Sequence, residues 1–184
     1  MASNVAMAQI AQPYAQALMS VAQGNNITDQ IGEDVRGLLN LLKESDQLRN
    51  FIDNPFIDAN DKKAVLGRVL GEEVNPSLRN FLMLLVDRRR ISFLSDICEQ
   101  YLVLLRQLTQ TVLAEVTSAV PLSESQSQTI REKVMAMTSA RQVELETNVD
   151  GDIIGGVIIK IGSQVVDASL RGQLRRLSLR LTTS

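Results

Sequence analysis

Residues 143–177, reading VELETNVDGDIIGGVIIKIGSQVVDASLRGQLRRL, constrain the fold more than any other part of the chain. Val143, Leu145, Thr147 and Val149 alternate with Glu144, Glu146 and Asn148, the period of a half-buried strand. Asp150-Gly151-Asp152 breaks that strand. Val157, Ile159 and Ile161 resume the alternation until Gly162-Ser163 supplies a two-residue hairpin turn. Two turns in succession predict neighbouring antiparallel strands, a three-stranded meander. The last strand, Val165-Val166, ends at Asp167 and Ser169, either of which can N-cap a helix. That helix carries Arg171, Arg175, Arg176 and Arg180 on one face and Leu170, Leu174, Leu177 and Leu181 on the other.

Upstream the period changes from 2 to 3.6, and helical spacing dominates as far as Leu108. The predicted helices run from about Asn4 to Gln23, Ile27 to Glu44, Asp46 to Ile52, Asn60 to Leu70, Ser77 to Val86 and Ile91 to Leu108. Pro13 marks a kink or a first-turn position in the first of them. Gly71 is a C-cap, and Asn75-Pro76 is an N-cap followed by proline at the first helical position. After a boundary between Arg106 and Thr111, Val112, Ala114, Val116 and Val120 read as a strand and Ser123 to Ser139 as a helix. The predicted fold class is therefore mainly α. A six-helix bundle (1–108) precedes a small α+β domain (109–184) of order β-α-β-β-β-α.

Side-chain inventory removes most chemistry. The chain has no His, which takes away the commonest general base and zinc ligand together. Its one Cys, Cys98, lies in an apolar helical setting that suits a small buried hydrophobe better than a reactive thiol. Asp150, Asp152 and Asp167 would have to carry any hydrolase or transferase chemistry, yet all three sit where turns and caps need carboxylates. Gly151-x-x-x-Gly155-Gly156 lacks the Gly-Lys-Ser/Thr and the following helix of a phosphate loop. Asp87-Arg88-Arg89-Arg90 at a helix junction reads as a solvated connector rather than a phosphate site. No catalytic residue, cofactor or metal is expected. A net charge of -2 and the lack of any aromatic after Tyr101 argue against nucleic acid as a partner. No segment is apolar for long enough to span a bilayer, so membrane association is expected only through partners.

Two helices carry more apolar surface than one core requires. In SLRNFLMLLV (77–86), Leu78, Phe81, Leu82 and Leu85 fill one face while Met83, Leu84 and Val86 spread to another. The first helix is uncharged, with small Ala15 and Ala17 beside Tyr14. Either both are central helices of the bundle, which periodicity alone favours, or they frame a groove for a partner helix.

A spaced pattern resembles a known family. Val143, Leu145, Val149-Asp150, Ile153, Gly155-Gly156-Val157, Ile159-Lys160, Gly162 and Asp167-x-Ser169-x-Arg171-Gly172-x-Leu174 are similar to the delta subunit of F-type ATP synthases, with the oligomycin-sensitivity-conferring protein. Tyr14-Ala15-x-Ala17-Leu18 and Arg89-Arg90-Ile91-x-x-Leu94-x-x-Ile97-x-x-x-Tyr101 extend the likeness over nearly the whole chain. The resemblance implies a non-catalytic, single-copy stator subunit. Its N-terminal bundle would hold the N-terminal helix of one alpha subunit through Tyr14, Ala17, Leu18, Leu78, Phe81, Leu82, Leu84 and Leu85. Its C-terminal domain would hold the b-type stalk (b and b′) through Arg171, Arg175 and Arg176. The transit-free start implies a bacterial or cyanobacterial source, on the cytoplasmic face of a plasma membrane or the cytoplasmic or stromal face of thylakoids. The alternative is a free-standing helical adaptor or an RNA-binding antitermination module.

Overall fold

The structure, a computed structural model, describes residues 2–71, 74–138 and 140–174. Arg175, Arg176 and Arg180, which the sequence placed on the last helix, lie outside them. The chain divides into two compact units, Met1–Leu105 and Arg106–Ser184.

In the first unit the described residues form α1 (Ala2–Gly24), α2 (Thr28–Glu44), α3 (Asp46–Asp53), α4 (Ala59–Leu70) and α5 (Pro76–Asp87), followed by a 3₁₀ turn (Ile91–Phe93) and α6 (Leu94–Thr109). Short polar side chains start the helices by accepting from otherwise orphaned N–H groups. Ser45 Oγ accepts from Leu48 N–H (3.2 Å), Asp58 Oδ1 from Asn60 N–H (2.8 Å) and Asn75 Oδ1 from Ser77 N–H (2.9 Å). Gly71 ends α4 at φ 65, a conformation that spares only glycine a steric penalty. The apolar stripes meet in one core around Ile31, Val35, Leu66, Leu78, Leu82, Leu85, Leu94, Ile97 and Tyr101. Tyr101 is buried on its apolar side, and its hydroxyl donates to the Thr28 carbonyl at 3.1 Å, fixing α6 against the start of α2.

Two expectations in this unit change. The last helix, α6, starts at Leu94 rather than Ile91, because the tighter 3₁₀ turn takes 91–93. Pro13 lies well inside α1 rather than in its first turn.

The second unit contains β1 (Thr111–Ser118), α7 (Glu124–Thr138), β2 (Gln142–Val149), β3 (Val157–Ile161) and β4 (Gln164–Asp167), with residues 170–174 helical. A capping box opens α7: Ser123 Oγ accepts from Gln126 N–H (3.3 Å) while Gln126 Oε1 accepts from Ser123 N–H (2.9 Å). Ala114, Val116, Ile159 and Ile161 on the sheet pack with Ile130 and Val134 on α7. Val120 falls outside β1 and is exposed.

The sheet order, β2-β1-β3-β4, corrects the expected meander. β1 pairs in parallel with β2 (Val116↔Thr147) and antiparallel with β3 (Val116↔Ile159), so β1 separates the two strands that the sequence made neighbours. The cause is the connection at 150–156. Asp150 N–H donates to Ser118 O (2.9 Å) and Asp150 Oδ1 accepts from Asp152 N–H (2.9 Å), so the turn keeps the end of β2 beside β1 instead of reversing it. In the same connection Ile153 is buried and its N–H donates to the Asp150 carbonyl at 3.2 Å. Parallel pairing of β1 with β2 needs a crossover, and α7 provides it. The Gly162-Ser163 hairpin forms as expected, joining Ile161 to Gln164 with Gly162 at φ 57.

Ser169, not Asp167, caps the helical residues 170–174: its Oγ accepts from Gly172 N–H at 3.0 Å, while Asp167 Oδ1 accepts from Ser169 N–H at 2.8 Å. The same segment is stapled to the β2–β3 connection. Leu170 N–H donates to Gly155 O (2.9 Å) and Ala168 N–H to Val157 O (3.0 Å). Gly156 sits at φ 82, and a Cβ there would overlap the Ala168 carbonyl oxygen and the Ser169 Cα. Gly156→Ala is therefore expected to destabilise the protein by about 2–4 kcal/mol, combining left-handed backbone strain with backbone overlap. Thermal denaturation of the full chain reads this directly.

Candidate functional site

The face of α1 that misses the core continues onto α5. Ala11, Ala15, Leu18, Met19 and Ala22 turn inward on α1, as do Leu78, Leu82, Leu85 and Val86 on α5. Residues offset by part of a turn remain at the surface. Pro13, Tyr14, Ala17, Leu18 and Val21 form one wall of a groove, and Ser77, Phe81 and Leu84 form the other. Its volume is about 340 Å³. Val21 is 49% exposed and Leu84 46%, values that leave apolar surface facing water along the groove. The small Ala17 keeps the floor low between Tyr14 and Val21. From Tyr14 to Val21 the wall covers two helical turns, roughly 10 Å, and both walls repeat at three- and four-residue intervals. An amphipathic helix laid lengthwise would seat its apolar side chains there.

Five of the residues named from the sequence come together in this groove: Tyr14, Ala17, Leu18, Phe81 and Leu84. Leu78, Leu82 and Leu85 do not. They are at most 1% exposed and belong to the core, because the inward stripe of α5 runs through 78, 82 and 85 and its outward stripe through 77, 81 and 84. Pro13, Val21 and Ser77 were missed, although Val21 lies one heptad from Tyr14. Of the arginines proposed for the stalk, only Arg171 is among the described residues. It is exposed, with Leu170 and Leu174 beside it 47% and 60% exposed.

Elsewhere three groups that could carry chemistry have structural places. Burial pushes the Cys98 thiol up to about 12, with Glu99 adding to the shift, so thiolate is scarce at neutral pH. Asp150 and Asp167 serve the turn and cap described above. No group of three or more His, Cys, Asp or Glu side chains among the described residues is arranged to hold a metal ion. No helix among them is long and apolar enough to cross a membrane.

A protein of Nostoc punctiforme named ATP synthase subunit delta is 65% identical over 184 residues, covering 100% of both chains. One of Trichormus variabilis with the same name is also 65% identical over its full length. A chain in the cryo-EM structure of the Toxoplasma gondii mitochondrial ATP synthase hexamer shares the fold, with a TM-score of 0.71 at 24% identity, covering 94% of this chain and 97% of that one. The family profile described as ATP synthase delta (OSCP) subunit matches residues 10–181, and with full-length relatives at this identity the chain belongs to that family.

Proposed function

We propose that the protein is a non-catalytic stator subunit of an F-type ATP synthase, joining the catalytic head to the peripheral stalk. The observation that carries this reading is the open apolar groove between α1 and α5 in a chain of the delta family. In that groove the first unit holds the N-terminal helix of an alpha subunit, with Tyr14, Ala17, Leu18, Phe81 and Leu84 as the contact side chains. The second unit holds the ends of the b-type stalk helices through the exposed surface around Leu170, Arg171 and Leu174. One copy per complex suffices, since there is one head to restrain. The subunit reaches the membrane only through its partners, on the face where the head stands.

The mechanism is mechanical. A rotor turning inside the head exerts torque on it, and the head follows unless a static linkage returns that torque to the membrane sector. Such a linkage has to outlast many turnovers. Differences in affinity between related interfaces appear mainly in the dissociation rate, and desolvated apolar contacts at both ends give the slow release required.

Separate roles for the two units give a direct test. A chain truncated before Thr111 retains the core of the first unit and its groove. It is expected to co-purify with the head but to lose the b-type subunits. Retention of those subunits by the truncated chain would refute this division of labour.

A further inference from the structure

Pro13 is the middle residue of α1 (Ala2–Gly24), and its ring lines the α1–α5 groove. Proline is the least favourable residue for a helix interior. It has no N–H to bond the carbonyl four residues earlier, and its ring crowds that same carbonyl. In α1 that carbonyl belongs to Gln9. Almost any other residue at 13 would mend the helix, and natural chains keep such local faults mainly where function needs them.

The fault lies at one end of the groove. On α1 the wall runs from Pro13 to Val21, and on α5 from Ser77 to Leu84. The two helices run in opposite directions along it. Ile27 N–H donates to Ala22 O (2.9 Å) where α1 passes into α2, and Asn75 Nδ2 donates to Gln30 Oε1 (3.0 Å), which sets the start of α5 beside the end of α1. Pro13 therefore shares its end of the groove with Leu84. A helical carbonyl points along the axis towards the residue four places on, so the Gln9 oxygen lies against the Pro13 ring at that end. Neither wall carries a charged side chain, and the polar groups among the lining side chains are the hydroxyls of Tyr14 and Ser77. A carbonyl without its helical donor in such surroundings costs free energy when it is covered and left unpaired. A helix docked out of register would bury it so, whereas apolar contacts alone tolerate a slip. One polar group in an apolar seam fixes register for this reason, at a cost in stability.

We infer that Pro13 is a positioning residue: it leaves the Gln9 carbonyl open to accept from a hydrogen-bond-donating side chain on the helix that docks in the groove, and so sets that helix's register. The inference rests on the groove being the docking site of the alpha-subunit helix. It adds to the chemistry of that partner. Beside its apolar anchors, the docked helix carries a Ser, Thr, Asn, Gln or Lys side chain at the end where Pro13 and Leu84 face each other. α1 gives up a helical hydrogen bond in the free protein, and docking replaces it.

The test titrates the full-length chain, labelled with carbon-13 and nitrogen-15, with a synthetic peptide of the alpha subunit's N-terminal segment. The Gln9 carbonyl carbon is read through the amide of Ile10. Its resonance is expected to move downfield as the peptide saturates, the direction of a carbonyl that gains a hydrogen bond. Pro13→Ala restores the helical donor, so in the free variant the new amide at position 13 should resist hydrogen exchange and the Tm should rise. Its peptide affinity should fall about five- to tenfold, the worth of one hydrogen bond. Leu84→Asp is titrated in parallel, and undiminished affinity there would remove the groove itself as the docking site. Weakened binding by Leu84→Asp together with a stationary Gln9 carbonyl resonance in the unaltered chain would overturn the role of Pro13 alone, since any loss in Pro13→Ala would then belong to the ring. Full affinity in Pro13→Ala would overturn it equally.

Discussion

Membranes stripped of this subunit are expected to lose proton-driven ATP synthesis while the released head continues to hydrolyse ATP. Cys98 is buried and kept protonated, and the carboxylates at 150 and 167 hold a turn and a helix start. As the proposed stator the chain acts on catalysis through restraint of the head against the rotor, which synthesis requires and hydrolysis by a free head does not. Adding the purified chain back should restore synthesis, measured as ATP formed under an imposed proton gradient. Normal coupled synthesis in its absence would sink the stator reading.

The second large effect separates two leucines that are neighbours in sequence. Leu85→Asp should unfold the first unit, because Leu85 is fully buried. The lost apolar burial and the unpaired charge together cost about 5 kcal/mol or more, much of the roughly 5–15 kcal/mol that holds a domain folded. Leu84→Asp should leave stability within about 0.5 kcal/mol, as Leu84 is 46% exposed on the groove wall. It should nonetheless weaken an alpha-subunit N-terminal peptide by about 100-fold or more, since docking would bury the new carboxylate without a partner. Phe81→Asp should weaken the peptide likewise but also lower stability, because Phe81 is partly buried against the core. Circular dichroism with calorimetric titration distinguishes the cases. Full peptide affinity in folded variants of both Leu84 and Phe81 would eliminate the groove as the docking site.

Local signals made much of the fold legible. The caps at Asn75 and Gly71 start or stop helices within a residue or two of where the sequence puts them, because each acts on backbone groups one turn away. Alternation at 143–149 and 157–161 gave β2 and β3 for the same reason: a strand's period is written in its own side chains. The groove was half legible. Surplus apolar residues on two helices announced a second surface, but not which leucines face it.

What the sequence alone determined is the set of elements, their order along the chain, and a family likeness spread over both units. Tertiary structure decided who neighbours whom. β1 stands between β2 and β3 through pairings such as Val116↔Thr147 and Val116↔Ile159 and a hydrogen bond from Asp150 to Ser118, all non-local, and no period along the chain encodes them. Likewise Leu85 belongs to the core and Leu84 to the groove because α5 is turned by its packing against the rest of the bundle. A rotation of one residue, about 100°, would exchange them. Periodicity fixes the angle between side chains on a helix, and only packing fixes the direction in which the whole set points.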